Sequence, residues 1–368
     1  MEYYSKTAAG ISPYTPGERP ERPLIKINTN ENPYPPSPAA LTAACEAAGS
    51  TDNPSALRLY SDPDGLEVRQ AVVAAEKAAG VVLTPENVFV GNGSDDVLSM
   101  CFQAFFPPAG AEDKPLLFPD ISYSFYPVYA KLYGVAYQEE PLDEGFAVSN
   151  AGYLRPNGGV LLANPNAPTG IYKPLAEIEP ILSYCLHKSV VVVDEAYIAF
   201  GGVSAATLLP WFPNLLVVRT LSKSHALAGL RVGYALGHPH LIEGLTRIKN
   251  SVNPYAVGYL AQKTAVAALL DVGYCAAMTA RIVATRERVA QSLARMGFMV
   301  LPSAANFLFV THERVEARQL YECLGAEGIW VRHFDQPRIK NYIRLSIGTD
   351  EEMDVFLQRV ERELSTIH

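Results

Sequence analysis

The sequence contains few cysteines and no long apolar run. Only five of its 368 residues are cysteine, and no two of them form a CxxC pair, so the pattern predicts neither a disulfide framework nor a zinc site. The N-terminal "MEYYSKTAAGISPYTPG" lacks the apolar core of a signal peptide, and no apolar run approaches the length that spans a bilayer. We therefore expect no membrane partner, no metal, and a cytoplasmic protein with five reduced thiols, at Cys45, Cys101, Cys185, Cys275 and Cys323.

Positive charge is also scarce. Thirty Lys and Arg stand against 38 Asp and Glu, and the formal net charge of −8 gives no general attraction to nucleic acid or to an anionic membrane. The chain has no GxxxxGK[ST] motif, so "VVVVDEAY", which resembles a Walker B strand, does not indicate an NTPase. What remains is a chain with 49% hydrophobic residues, enough for one large and one smaller domain that need neither metal nor disulfide.

Proline is concentrated near the N-terminus, where six prolines lie between Pro20 and Pro38. This density favours an extended arm over residues 1–35. A disordered tail is the alternative, but the strand-like apolar residues of "LIKINTN" favour an arm that packs on the protein. We expect a large domain over 36–250 and a small domain over 251–368.

Six short apolar runs rich in Val and Leu follow: "NVFV", "PLLF", "GVLLA", "SVVVVD", "NLLVV" and "GYALG". Such unbroken runs are typical of strands covered on both faces, and their alternation with helical stretches predicts an α/β sandwich with a mostly parallel sheet. Two of the helical stretches are "PAALTAACEAA" and "DGLEVRQAVVAAEKAAG", the second with Asp64 as its predicted cap and Gly80 at its end. Beyond residue 250, an Ala-rich helical stretch over 256–295 leads to a smaller α+β domain.

Polar residues gather where the predicted strands end. "GNGSDD", "NPNAPTG", "DEAY" and "LSKSH" each follow an apolar run. In open parallel sheets, ligands bind at the carboxyl ends of the strands. Each segment alone could be an ordinary turn, but four together predict one shared ligand site.

The segment "VGNGSDDVL" is typical of a phosphate cradle. Gly91 and Gly93 allow close approach of the backbone, and Ser94 and Asp95 open a helix whose N–H groups would face an anion. As a dinucleotide fingerprint it fails, because the third Gly is missing and the spacing differs. The features that remain are one phosphate, a buried Asp and a nearby Lys, and pyridoxal phosphate matches all three.

The sequence resembles the fold-type-I pyridoxal-phosphate aminotransferases over nearly its whole length, and within them the histidinol-phosphate aminotransferase group. The matching stretches, in order, are "SPYTPG", "NTNENP", "GNGSDD", "SYSFYPVYA", "NPNAPTG", "VVVDEAY", "LSKSHALAGLRVGYA", "GIWVR" and "YIRLSIG". The resemblance implies a three-layer αβα large domain, a smaller α+β C-terminal domain, a homodimer, and transamination between a small-molecule amino donor and a 2-oxo acid.

The resemblance also implies roles for the residues that would hold the cofactor. Lys223 would form a Schiff base with the aldehyde and then act as general base. Asp194 would pair with the pyridine nitrogen, and Tyr197 would donate to the phenolic oxygen. Tyr123 would stack on the ring, with core packing as the alternative. The phosphate would be bound by the amides of Gly93 and Ser94, next to Asp95, and by the side chains of Ser222 and Arg231.

Two stretches depart from the family pattern. The asparagine that usually precedes "PTG" and contacts the phenolic oxygen is Ala167 here, so Asn166 is the expected substitute, with Asn164 the next candidate. "LYSDP" carries Ser61 where the family has proline. Tyr60 in that stretch would reach the cofactor phosphate of the neighbouring subunit.

The expected substrate residues lie at both ends of the chain. Arg344, within an alternating apolar strand, and Arg332 would bind the substrate's anionic group, although surface arginines are the alternative. Tyr14 would close over that anion, and Asn32 and Tyr255 complete the predicted set. We expect histidinol phosphate and 2-oxoglutarate as substrates. The alternatives are an aromatic aminotransferase, a decarboxylase of a phosphorylated amino acid, and the sensor domain of a transcription regulator, which would need a DNA-binding module for which this chain has no room.

Overall fold

A computed structural model describes residues 3–14, 24–49, 56–110 and 114–366. The six apolar runs all form strands of one sheet. The first eight strands of the chain are β1 Ile25–Lys26, which lies outside this sheet, β2 Val88–Gly91, β3 Leu116–Pro119, β4 Tyr137–Glu140, β5 Gly159–Ala163, β6 Val191–Asp194, β7 Leu215–Thr220 and β8 Gly233–Gly237. Their order in the sheet is β2-β8-β7-β6-β5-β3-β4. Pairs from β7 through β4 are parallel, whereas β8 runs antiparallel to both β2 and β7.

The seventh strand of this sheet, β4, was not predicted. Its sequence "YQEE" carries only one apolar residue, and Gln138 and Glu139 are exposed. It forms because it lies at the sheet edge, where it pairs in parallel with β3 and needs apolar cover on fewer sides.

Helices cover both faces of the sheet, as the three-layer prediction requires. Successive residues of β6 show the alternation, since Val191 and Val193 pack in one core cluster and Val192 packs in the other. The helices on the two faces are among α1 Lys6–Gly10, α2 Pro38–Ala48, α3 Leu66–Ala78, α4 Ser94–Phe105, α5 Phe125–Tyr133, α6 Leu175–Cys185, α7 Pro239–Val252 and α8 Tyr259–Leu270. The first cluster includes residues of α3, α6 and α8, and the second includes residues of α4, α5 and α7.

The start of α3 corrects one prediction. Asp64 does not cap this helix. The N-cap residue is Gly65, whose φ of +55° lets the chain turn into the helix, and Asp62 Oδ2 accepts the hydrogen bond from the Leu66 amide at 2.8 Å. Gly80 follows the end of α3 with φ +87°, as expected.

The remaining elements form the small α+β region. Its helices are α9 Val272–Arg295, α10 Ala317–Ala326 and α11 Asp350–Thr366, and its strands are β9 Phe298–Val300, β10 Phe307–His312, β11 Ile329–Trp330, β12 Arg332–His333 and β13 Ile343–Ser346. Four of these strands form an antiparallel sheet in the order β12-β13-β10-β9. The strand-like part of the predicted arm, β1, pairs in parallel with β11.

The predicted helical stretch over 256–295 is broken into α8 and α9, which meet at an angle of 77°. Ala265, Ala268 and Leu269 of α8 pack in the large core cluster, whereas Ile282 and Val289 of α9 pack in the small-domain cluster. The domain division at residues 250 and 251 stays a prediction, and this packing favours counting α8 with the large domain.

No single helix among the described residues is both long and apolar enough to cross a bilayer. The bent pair α8 and α9 is long and apolar enough only when the two helices are counted together. All five cysteines are free thiols.

Candidate active site

One cavity lies at the carboxyl ends of β5, β6 and β7, where the last residues Ala163, Asp194 and Thr220 face it. The start of α4, the segment Asn28–Asn30, and residues of β12 and β13 complete its walls. The predicted site residues that line it are Tyr14, Ser94, Asp95, Tyr123, Asp194, Tyr197, Ser222, Lys223, Arg231, Arg332 and Arg344.

The phosphate cradle is built around Gly93. Its φ of +86° favours glycine, and a Cβ there would come within 2.9 Å of Arg231 Cζ. Arg231 lies against this glycine with Nη1 3.2 Å from Ser222 Oγ and Nη2 3.0 Å from Asp95 Oδ2. The first N–H groups of α4 begin at Ser94 on the same side. A guanidinium, a hydroxyl and a helix N-terminus therefore surround one point, as a single phosphate requires.

Asp95 has partners within the protein. Its carboxylate accepts hydrogen bonds from Arg231 and from the Tyr123 hydroxyl, the latter at 2.8 Å. This contact fixes the Tyr123 ring in the cavity wall. Burial, followed by the charge of Asp95, raises the pKa of Tyr123 well above its ordinary value, so the ring remains a neutral surface for packing.

Asp194 is buried at the end of β6, and no cationic side chain of the described residues pairs with it. Its Oδ2 accepts from the Tyr126 hydroxyl at 2.9 Å and its Oδ1 accepts from the Ala196 amide at 3.2 Å. Burial raises the pKa of Asp194 to about 6. Because burial disfavours the ionised form of this carboxylate, a cation that reaches it would stabilise that form. A protonated pyridine ring is such a cation. Tyr126 was missed in the tyrosine-rich stretch "SYSFYPVYA".

Lys223 reaches into the same cavity from the loop after β7. Its Nζ donates to the Thr29 carbonyl at 3.3 Å and lies 5.8 Å from the centroid of the Tyr197 ring. Lysine amine, Asp194 carboxylate and phosphate cradle thus face one space, in the arrangement that pyridoxal phosphate needs.

Asn32 was predicted as a substrate residue, and the structure places it elsewhere. Its Nδ2 donates to the carbonyls of Lys223 and Ser224 at 2.9 and 3.3 Å, behind the lysine loop. Asn30, two residues earlier, lines the cavity instead, and its Nδ2 donates to the Tyr197 hydroxyl at 2.9 Å. Composition could not separate the two, because both belong to "NTNENP".

Asn166 does not take the place of the asparagine that Ala167 replaces. Its Nδ2 donates to the Ile121 carbonyl and to Thr169 Oγ1, and its Oδ1 accepts from Ser122 Oγ at 2.8 Å. These bonds use the amide to hold two loops together, and Ala167 lines the cavity in its stead. Asn164 is also engaged, since its amide bonds to the backbone of Lys173.

Two arginines form the other end of the cavity. Arg332 and Arg344 stand directly opposite each other on the antiparallel pair β12–β13. Arg344 Nη2 donates to the Asn28 carbonyl at 3.0 Å, while its buried Nε has no partner among the described residues. Burial, with Arg332 nearby, lowers the pKa of Arg344. Like charges in this register repel each other, so an anion between them would relieve the repulsion.

Three predicted tyrosines occupy two different places. Tyr14 lines the cavity and stacks on Phe125, with ring centroids 4.2 Å apart. Tyr60 and Tyr255 do not line it; they stack on each other at 4.4 Å, and Tyr60 is 82% exposed. The structure therefore does not bring Tyr255 to the cavity of its own chain.

Comparison with known proteins identifies the family of this chain. Residues 22–360 match the family model for class I and II aminotransferases. The histidinol-phosphate aminotransferase of Clostridium botulinum is 44% identical over 367 residues, which cover 100% of this chain and 99% of that protein. Histidinol-phosphate aminotransferase 1 of Methylococcus capsulatus is 49% identical over 356 residues, 96% of each chain.

A solved structure has the same fold. The histidinol-phosphate aminotransferase of Sinorhizobium meliloti in complex with pyridoxal-5′-phosphate superposes with a TM-score of 0.85 at 24% identity, covering 100% of this chain and 99% of that one. This chain belongs to the class I and II aminotransferase family.

Proposed function

We propose that this aminotransferase moves the amino group of histidinol phosphate to 2-oxoglutarate, which yields imidazole acetol phosphate and glutamate in histidine biosynthesis. The full-length relatives at 44% and 49% identity support that reaction. The observation that carries it in the structure is the pair Arg332 and Arg344, opposite each other on β12 and β13 at the substrate end of the cavity.

The arginine pair suits a reaction with two different substrates. Glutamate has a carboxylate on its amine carbon, and histidinol phosphate has a phosphate ester one carbon from its amine carbon. Both place an anion near the same point, so Arg344 can serve both, with Arg332 as second donor to the larger phosphate. Tyr14, stacked on Phe125, lies beside this point.

The chain is a pyridoxal-phosphate enzyme, and its residues divide the work of holding that group. Arg231, Ser222 and the amides at the start of α4 would bind the phosphate, and Asp194 would pair with the ring nitrogen. The bound cofactor supplies an electron sink for the substrate carbon that loses its proton. Tyr126, by donating to Asp194 Oδ2, favours the ionised carboxylate that keeps the ring nitrogen protonated.

Lys223 would bond to the cofactor aldehyde and would also carry the proton. Its Nζ lies near the Thr29 carbonyl and the Tyr197 ring, on the side of the cavity where the substrate carbon would lie. As a free amine it would accept a proton there as general base and give it back as general acid.

A homodimer is part of the proposal. The exposed, stacked pair Tyr60 and Tyr255 has no role in its own chain's cavity, and Tyr60 is proposed to reach the cofactor phosphate of the partner. Two large apolar side chains close to Tyr60 in sequence, Leu57 and Leu59, are also more than half exposed. This favours a surface that a second subunit covers. The cytoplasmic location stays a prediction from the cysteine content.

A half-reaction assay tests the substrate. The protein loaded with pyridoxal phosphate is mixed with histidinol phosphate, phenylalanine or tyrosine at equal concentration, and the visible absorption of the cofactor is followed. We expect histidinol phosphate to react fastest. Faster conversion by an aromatic amino acid would replace it with the aromatic aminotransferase alternative. With a phosphorylated α-amino acid as a fourth test substrate, release of carbon dioxide without spectral conversion to the amine form would support the decarboxylase.

A further inference from the structure

Asn30 is buried and held in one orientation by the small domain. Its backbone has φ +57°, a left-handed conformation that asparagine tolerates better than most residues. Its amide N–H donates to Ser346 Oγ at 2.7 Å, and its carbonyl accepts from Asn306 Nδ2 at 3.0 Å. Only 1% of Asn30 is exposed, so these contacts fix the orientation of the residue in the cavity wall.

The same contacts determine which end of the Asn30 amide faces Tyr197. Because Ser346 Oγ accepts from the Asn30 backbone, its single hydrogen is free to donate to Asn30 Oδ1 at 3.0 Å. The oxygen therefore points to Ser346, and Nδ2 points to the Tyr197 hydroxyl at 2.9 Å. Tyr197 Oη then accepts a hydrogen bond from the protein and keeps its own hydrogen for the cavity.

This arrangement lies next to the position where the chain departs from its family. Ala167 lines the cavity and packs with Tyr197, where the family pattern has an amide donor. Asn166 is occupied with Ile121, Thr169 and Ser122. Among the described residues on this side, Tyr197 is therefore the one placed to donate to the phenolic oxygen of the cofactor. The direction of its hydroxyl hydrogen then matters more than it would beside a second donor.

We propose that Asn30 is a positioning residue that orients the Tyr197 hydroxyl toward the cofactor and so compensates for the amide that Ala167 lacks. The proposal rests on the pyridoxal-phosphate site of the proposed function and is independent of which substrate reacts there. Since Arg344 and Ser346 both lie on β13 and both contact Asn28–Asn30, the segment also links the substrate anion site to Tyr197.

Two substitutions at Asn30 separate the side chain from the backbone. Asn30→Gly keeps the left-handed backbone and removes the amide, whereas Asn30→Asp keeps the shape and replaces the donor with an acceptor. The Asp variant should draw the Tyr197 hydrogen away from the cofactor. His187→Gly is the matched control. His187 also has a positive φ, +60°, but it lies near the start of β6, at the opposite ends of the strands from the cavity.

The readout is the pH midpoint of the visible absorption change of bound pyridoxal phosphate, which needs no substrate. Loss of a donor to the phenolic oxygen disfavours its anionic form, so we expect Asn30→Gly to raise the midpoint by roughly one unit, the size of one hydrogen bond. Asn30→Asp should raise it at least as much, and His187→Gly should leave it unchanged. The kcat of Asn30→Gly should fall about 10-fold.

A double-mutant cycle shows whether Asn30 acts through Tyr197. In a Tyr197→Phe background, Asn30→Gly should produce no additional shift of the midpoint. An equal shift in both backgrounds, or an unchanged midpoint in both Asn30 variants, overturns the proposal. If the Asn30 variants fail to load cofactor, Ser346→Ala decides, because it frees the amide to rotate; a wild-type midpoint there also overturns it.

Failure of the proposed substrate gives a different result. A wild-type protein that shows the Asn30-dependent midpoint but does not react with histidinol phosphate would refute the proposed reaction and leave the role of Asn30 intact.

Discussion

The two ends of the cavity differ in how their charges are balanced. At the proposed cofactor end, Arg231 faces Asp95, and Asp194 accepts hydrogen bonds from Tyr126 and Ala196. At the proposed substrate end, Arg332 and Arg344 face each other, and neither forms an ion pair with a carboxylate of the described chain. The first end is organised before anything binds, as suits a resident group.

The difference matches what each end must do in transamination. A cofactor stays bound through both half-reactions, so its site gains from fixed protein partners. A substrate anion must enter and leave twice in each cycle, and a site that already contained a carboxylate would compete with it. Arg219, a partly buried arginine outside the cavity, shows a different arrangement, since it is paired with both Glu76 and Glu195.

The largest effect is expected at Lys223, which belongs to the cofactor end. Lys223→Ala removes both the covalent attachment and the proton carrier, and we expect turnover to fall by at least about 1000-fold. Pyridoxal phosphate should still bind without a covalent bond. Borohydride reduction followed by peptide mapping should find the cofactor on Lys223 in the wild type. An adduct on another lysine would contradict the assignment, and Lys263→Ala, at an exposed surface pair with Glu67, is the control.

Asp194 tests whether the cofactor end depends on a buried anion. Asp194→Ala should lower kcat by about 100-fold or more, while Asp194→Glu should retain more activity, because only the alanine leaves the ring nitrogen without a counter-charge. Steady-state kinetics at saturating cofactor measures both. Near-normal turnover in Asp194→Ala would remove this residue from the mechanism.

The same residue predicts a pH dependence of the cofactor-free protein. The folded pKa of about 6 lies above the ordinary value of 3.8, so the folded state binds more protons between these values and loses stability as pH rises through them. This loss is on the order of 3 kcal/mol when complete. Asp194→Asn should therefore stabilise the cofactor-free protein at pH 7 and give little gain below pH 4. Thermal unfolding at both pH values checks the sign, and equal gains at both would contradict it.

At the substrate end the expected effects are smaller and fall on binding. Arg344→Ala should raise KM for glutamate and for histidinol phosphate by about 10-fold or more, as roughly 1.5–3 kcal/mol per charged hydrogen bond implies. Arg344→Lys should recover part of this loss. Arg247→Ala, on an exposed surface pair with Glu243, is a matched control. A lower kcat with unchanged KM would move Arg344 out of the substrate site.

The smallest effect concerns the exposed tyrosines. If Tyr60 acts in the partner's site, a 1:1 mixture of Tyr60→Phe and Lys223→Ala subunits should contain one intact site in each mixed dimer, about a quarter of all sites after free exchange. Activity after exchange should rise above that of either variant alone by an amount that this fraction sets. No recovery, with exchange confirmed by differently tagged subunits, would place Tyr60 in its own chain's site or outside any site.

Several residues proposed for the cofactor end could be predicted to lie together because they follow strands. Asp194 ends β6, Lys223 follows β7, and Ser94 follows β2, so the apolar runs themselves located these side chains at the carboxyl ends of the strands, where they line one cavity. The edge strand β4 was not predicted, because strands were located by their apolar runs and β4 has only one apolar residue. The first amide of α3 donates to Asp62 rather than to Asp64. This choice depends on the turn at Gly65, which local composition does not determine.

The sequence by itself determined the α/β architecture and the family, and it predicted the lysine, aspartate and arginine proposed for the pyridoxal-phosphate site, because these depend on short periodic patterns and on residues next to strands. Only the tertiary structure decided which asparagine faces the cavity. Asn30, Asn32 and Asn166 are alike in sequence, but their partners lie far along the chain: Asn30 and Ser346 are separated by 316 residues. The opposition of Arg332 and Arg344 likewise depends on strand register, which forms only when the small domain packs.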